Sequence, residues 1–142
     1  WSRFPTTFIG FNSISFDEPF LRQSFYQNLM PEIYMTVTNK NLRMDVFDIL
    51  KLVSVFHPEH IRLNKDDNDY AILKLENIAE INNIEVQYEA GPHDAVYDAL
   101  VTLELNKILS IRCPKIWEAA LNFRKRDFPK MFMLENSVFT RI

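Results

Sequence analysis

Glycine is nearly missing from this sequence: 142 residues contain only Gly10 and Gly91. Neither common glycine-rich phosphate loop can be written with two isolated glycines, so the nucleotide-cofactor folds built on such loops are excluded. Cysteine is scarcer still, and the single Cys113 allows no internal disulfide. Standing just before Pro114 at a helix junction, it reads as a buried structural thiol. No apolar run is long enough to span a bilayer, and no signal-peptide core is present, so a reducing cytoplasmic compartment and no membrane partner are expected. Excess charge of one sign is also lacking. The formal net charge is −3, which provides no global basic field, and any nucleic-acid partner has to be held by a local groove.

What is present describes a soluble globular domain with a real core, since 47% of the residues are hydrophobic and 25% charged. "TTFIGF" (Thr6 to Phe11) is β-branched and aromatic and is closed by Asn12 and Ser13, the pattern of a strand and turn. In "FDEPFLRQSFYQNLM", Asp17 can cap a helix, Pro19 falls in its first turn, and Phe20, Leu21, Ser24, Phe25 and Leu29 follow a helical period. "LRMDVFDILKLVSVF" predicts a short strand running into a helix with Val46, Ile49, Leu50, Val53 and Phe56 on its apolar face. A βαβ crossover makes the two strands parallel in one sheet. His57 to Tyr70 reads as a charged loop. Further helices are predicted in "LKLENIAEINNIEV", ending near Asn82 and Asn83, and at Ala95 to Ile111 and Pro114 to Phe123. No repeat or linker interrupts the chain, so residues 1–142 read as one α/β unit.

Two short parallel strands beside five helices make a thin sheet, and the first strand offers an apolar edge with nothing to pair with. The chain also opens at Trp1 rather than at a methionine. We therefore expect a fragment of a larger sheet, with exposed apolar surface beside "TTFIGF".

Chemistry concentrates in "GPHDAVYDALVTLEL" (Gly91 to Leu105), where a helix start carries a histidine and two aspartates. Asp94 suits an N-cap. His93 and Asp98 are five residues apart, about 140° around an ideal helix, and meet only if His93 lies in the entry turn that Gly91 and Pro92 favour. Asp17 stands where a strand hands over to a helix, the end of a parallel sheet at which sites usually form. Carboxylates suit Mg²⁺ or Mn²⁺, and a neutral histidine can take a proton from water, which points to metal-dependent hydrolysis. Simpler roles stand beside these: Asp17 as a helix cap, Asp98 as a solvated helix residue. His57 and His60 in "HPEH" lack a third ligand at a known spacing and read as loop residues. "DDND" (Asp66 to Asp69) lacks the glycine and distal glutamate of a calcium loop. The basic run "FRKRDFPK" (Phe123 to Lys130) reads as a solvated helix end, with phosphate contact as its alternative.

These residues resemble a known family. "NSISFD" resembles N-x-x-x-F-D, the second motif of the DEDD 3′-to-5′ exonucleases, and "HDAVYD" resembles their third motif in its histidine-bearing form, H-x-x-x-x-D. "FDEPFLRQSFYQNL", "LRMDVFDILKL", "LKLENIAEINNIE" and "HDAVYDALVTLEL" are similar, in order and spacing, to the exodeoxyribonuclease I branch, over nearly the whole chain. The resemblance implies a partial ribonuclease H-like α/β domain holding the last two parallel strands of a sheet whose first three lie upstream. It implies removal of nucleotides from the 3′ end of single-stranded DNA with two divalent ions, Mg²⁺ or Mn²⁺, in DNA repair or recombination. Asp17 and Asp98 then match metal carboxylates, His93 the general base, and Asn12 and Phe16 residues lining the substrate cleft. A monomeric parent, with single-strand-binding protein as a further partner, belongs to the same expectation. The family's first motif, D-x-E, occurs nowhere in these residues, so the chain as given is expected to be inactive and both its ends to continue in a longer parent. An RNA 3′-end exonuclease similar to oligoribonuclease, and a non-catalytic binding module for nucleic acid or protein, are the competing readings.

Overall fold

The computed structural model describes residues 4–89 and 91–123. In chain order it contains β1 (Thr7–Gly10), α1 (Asp17–Gln27), β2 (Leu42–Asp45), α2 (Val46–Phe56), one 3₁₀ turn (Pro58–His60), α3 (Leu75–Ile81), α4 (Ala95–Arg112) and α5 (Pro114–Phe123). The predicted elements are all present, and the two strands pair in parallel, from Thr7 opposite Leu42 to Gly10 opposite Asp45. The described residues divide into two compact units: one holds those up to Asp45 together with residues 120–123, the other those of Val46–Ala119. Among the described residues no helix is long and apolar enough to cross a membrane.

The first unit has a polar interior. Its buried residues include Phe25 and Met44, but also Glu18, Thr36, Asn41 and Asp45. Burying such groups is tolerable only when each finds hydrogen-bond partners, so these side chains act as ties between backbone segments. The Asn41 amide oxygen accepts from the Thr6 N–H at 3.0 Å, and its Nδ2 donates to the Met35 carbonyl at 2.7 Å. Together these bonds fix where the chain enters both strands. No β1 residue is fully buried and Ile9 is 44% exposed, in line with the apolar edge expected there.

The apolar periodicity of α1 is only partly used for core packing. Only Glu18 and Phe25 of this helix are buried, while Phe20 stands 66% exposed. Leu29 falls beyond the helix end in a left-handed conformation, φ 53°. In place of the expected Asp17 cap, Phe16 occupies the N-cap position without a side-chain cap, and Asp17 is the first helical residue. There its carboxylate still faces the positive end of the helix dipole.

The second unit is a conventional apolar core. Val46, Leu50, Val53, Ile61, Ile78, Val101, Leu105 and Leu109 are essentially inaccessible, and each such burial contributes about 1.5–3 kcal/mol. α3 packs against α4, whose buried stripe Val101, Thr102, Leu105, Asn106 and Leu109 follows the helical period. Phe56, assigned from its spacing to the apolar face of α2, is exposed instead. Ten residues after Val46 it has drifted about 80° around the helix, to the margin of the stripe. Cys113 is buried, as its sequence context predicts. Of the basic run, all but Phe123 lies outside the described residues.

Candidate functional site

The β1–α1 connection is assembled by one carboxylate. Asp45, buried at the end of β2, accepts the Asn12 N–H on Oδ1 at 2.7 Å and the Ile14 N–H on Oδ2 at 3.0 Å. Asn12 takes a left-handed φ of 56°, a conformation asparagine tolerates better than most residues. The chain then winds into α1 through bonds from Phe16 N–H to the Asn12 carbonyl (3.1 Å) and from Glu18 N–H to the Ser13 carbonyl (2.8 Å). Gly10 is required by this close return, because a Cβ there would collide with the Ser13 Cβ and Oγ.

α1 is anchored beside Asp17 by Glu18. The Glu18 Oε2 accepts from Arg22 Nη2 at 2.7 Å, Arg43 Nη1 at 2.8 Å and Thr36 Oγ1 at 3.3 Å. Charge-assisted bonds of this kind are about twice as strong as neutral ones. With Glu18 held inward, the neighbouring Asp17 carboxylate is turned to solvent. It borders an open groove of about 520 Å³ lined also by Phe16, Phe20, Leu21 and Ser24. The Phe16 and Phe20 rings lie 5.0 Å apart and are tilted by 57°; two exposed aromatic faces in contact form a surface on which planar apolar groups can stack. Asn12, expected in the same cleft, is not among the groove's lining residues.

His93 and Asp98 belong to the second unit. Gly91, Pro92 and His93 form a turn closed by the Asp94 N–H on the Gly91 carbonyl at 3.2 Å. His93 has φ 70°, so it lies in the entry turn and escapes the angular separation that would part it from Asp98 on one helix. Asp94 is the N-cap of α4, its Oδ1 accepting from Val96 N–H at 2.9 Å and Tyr97 N–H at 3.2 Å. Asp98 lies in the first turn and is half-buried. Both aspartates of the proposed metal set thus sit in a helix first turn, where hard oxygen donors meet the positive end of a dipole.

Asp45 and Glu18 were not picked out from the sequence. The Glu18–Arg22 spacing of four residues was a readable signal. That Asp45 would fold back on the β1–α1 turn follows only from the strand register, which sets it opposite Gly10.

No family model matches the chain. It is 30% identical over 122 residues to exodeoxyribonuclease I of Buchnera aphidicola subsp. Schizaphis graminum, covering 86% of this chain and 25% of that protein. Exonuclease I of Escherichia coli in complex with a dA16 oligonucleotide superposes with a TM-score of 0.79 at 25% identity, covering 90% of this chain and 27% of the other. An ExoI/SSB-Ct complex matches with a TM-score of 0.71 at 25% identity, over 89% of this chain and 26% of that one. The chain spans about a quarter of the length of the curated relatives it matches. In sequence and in fold, this chain is homologous to a quarter-length segment of exodeoxyribonuclease I.

Proposed function

We propose that these residues are the part of a metal-dependent 3′-to-5′ exonuclease that contributes two of its metal carboxylates and its general base, and that the whole protein acts on single-stranded DNA. The observation that carries the reading is the position of His93. A left-handed turn holds it just outside α4, one turn ahead of Asp98, where a base can reach over a site that the carboxylate lines. Homology to a nuclease segment whose structural relatives include an oligonucleotide complex supports the same reading.

Asp17 and Asp98 are the residues that would hold Mg²⁺ or Mn²⁺, being hard oxygen donors. When bound, a pair of such ions supplies positive charge at the attacking and leaving oxygens of an in-line displacement. As the general base, His93 accepts the proton of the attacking water on a ring nitrogen. Phe16, 58% exposed, and Phe20 beside it offer rings for base stacking, worth about 1–3 kcal/mol per base and indifferent to sequence. Asn12 borders the same segment at the strand end. Because no D-x-E occurs in the 142 residues, two further acids must come from elsewhere in the polypeptide, and the isolated chain is inactive in this reading. The ExoI/SSB-Ct complex among the structural relatives supports single-strand-binding protein as a partner. Service in DNA repair and a monomeric parent complete the proposal.

The test uses the longer parent, a 5′-labelled single strand and Mg²⁺. His93→Ala should lower kcat by about 10²–10⁴-fold, the usual worth of a general base, and Asp17→Asn or Asp98→Asn should abolish metal-dependent shortening. Preference for short RNA would transfer the activity to RNA ends, and binding without cleavage would leave a binding module. Shortening by the 142-residue chain alone, lost in His93→Ala, would contradict its inactivity.

A further inference from the structure

A second set of ligand-type side chains lies in the second unit, apart in sequence from both motif segments. α2 ends at Phe56, and the chain passes directly into the 3₁₀ turn Pro58–His60, with His57 as its N-cap. A 3₁₀ turn has three residues per revolution, so side chains three apart eclipse. His57 and His60 accordingly stack with ring centroids 5.3 Å apart and planes at 31°. Glu59 reaches in between: its Oε1 lies 3.1 Å from His57 Nδ1 and 3.5 Å from His60 Nε2. One ligand atom from each of the three residues falls within 4.8 Å of the other two.

The two separations from Glu59 are those of a coordination shell, and the imidazole donors, within 4.8 Å of each other, need only a small turn of their rings to complete it. Around a tetrahedral ion with bonds of about 2.0–2.1 Å, neighbouring donor atoms stand about 3.3–3.4 Å apart. The two Glu59 distances bracket that edge. Two imidazole nitrogens and one carboxylate oxygen select zinc-class transition ions, whereas Mg²⁺ and Ca²⁺ prefer oxygen alone. The turn is also held from outside, since Arg112 Nη1 at the end of α4 donates to the His60 carbonyl at 3.2 Å. A cavity of about 220 Å³, lined by His57, His60, Arg112, Cys113 and Lys115 among others, opens beside the rings.

We propose that His57, Glu59 and His60 form a binding site for one zinc-class divalent ion, with the two histidines and the glutamate as its three protein ligands and a fourth position open to solvent. The site is independent of the nuclease reading and uses none of its residues. Its alternative is a plain ion pair between protonated imidazoles and Glu59, which takes up no metal.

The experiment uses the 142-residue chain freed of any histidine tag and stripped of metal with a chelator. Zn²⁺ is titrated by calorimetry and Co²⁺ by its visible spectrum, both in excess Mg²⁺. One equivalent of each should bind. His57→Ala and His60→Ala should each weaken binding by about a hundredfold or more, since even groups that only orient a ligand are worth roughly 10–100-fold. Circular dichroism checks that both variants remain folded, and Glu59→Gln, which preserves the shape of the turn, should also weaken binding. Asp17→Asn with Asp98→Asn should leave uptake unchanged. Absence of saturable binding, or binding undiminished in the His57→Ala/His60→Ala double variant, overturns the proposal. So does loss of uptake in the aspartate variant.

Discussion

Replacing Glu18 by alanine tests how Asp17 is positioned. The Glu18 side chain is 8% exposed and ties three groups, of which Arg22 and Arg43 at 2.7 and 2.8 Å are charged. Breaking a fully buried ion pair by removing one partner costs about 3–5 kcal/mol. Here the arginines remain 31% and 36% exposed and regain water when released, so a loss of about 2–3 kcal/mol is expected after allowing for solvent screening. With a urea slope of about 1–3 kcal/mol/M, the unfolding midpoint followed by circular dichroism should fall by roughly 0.7–3 M. Glu18→Gln keeps the volume and an acceptor and should lose about half as much. Under the proposed exonuclease function, Glu18→Ala in the longer protein should also raise the Mg²⁺ concentration needed for half-maximal activity, because Asp17 is the adjacent residue. A cost below about 0.5 kcal/mol, typical of an ordinary surface change, would refute the anchoring role. So would full additivity of Glu18→Ala with Arg43→Ala, since groups in contact should couple.

Other outcomes follow from particular backbone and burial features. Gly10→Ala should destabilise by about 1–3 kcal/mol, the usual cost of overpacking. Ser13→Gly in the same chain should recover most of it, because the collision is with the Ser13 side chain. Leu29→Gly should stabilise by about 0.5–1 kcal/mol in thermal unfolding, since Leu29 is 91% exposed and holds φ 53°, where a Cβ costs about 1–2 kcal/mol and glycine's extra unfolded-state entropy takes back part of the gain. Burial, with the Glu59 charge second and Arg112 opposing, pushes the Cys113 thiol above its ordinary range. Its alkylation at mildly alkaline pH should therefore be slower in the folded chain than in urea, and equal rates would contradict the burial. A raised folded pKa also contributes stability that is complete below the free-thiol value and lost as pH rises through the folded one.

Much of the architecture was legible in order of residues alone because it rests on local periodicity. α4 and α5 match their predicted ends to within a residue, and the parallel pairing of β1 with β2 follows from the intervening crossover. The cap at Asp94 was equally local, a short acceptor meeting N–H groups two and three residues ahead. So was the removal of His93 from the helix by Gly91 and Pro92. What failed was any inference that required knowing what lies over a side chain: Phe56 and the stripe of α1 have core-like spacing, but nothing in spacing tells whether another surface covers them.

The sequence by itself determined the order and spacing of Asp17, His93 and Asp98, on which their proposed roles rest, and the homology to exodeoxyribonuclease I, since both are properties of residue type and spacing. The tertiary structure alone decided that Asp45 would hold the Asn12 turn, that Glu18 would be buried between two arginines, and that Glu59 would come between His57 and His60. Each of these depends on convergence set by strand register, by helix docking or by three-residue winding. Hydrogen bonds and ligand geometry are decided over a few ångströms, a scale that residue order constrains only where the backbone between the partners is already regular.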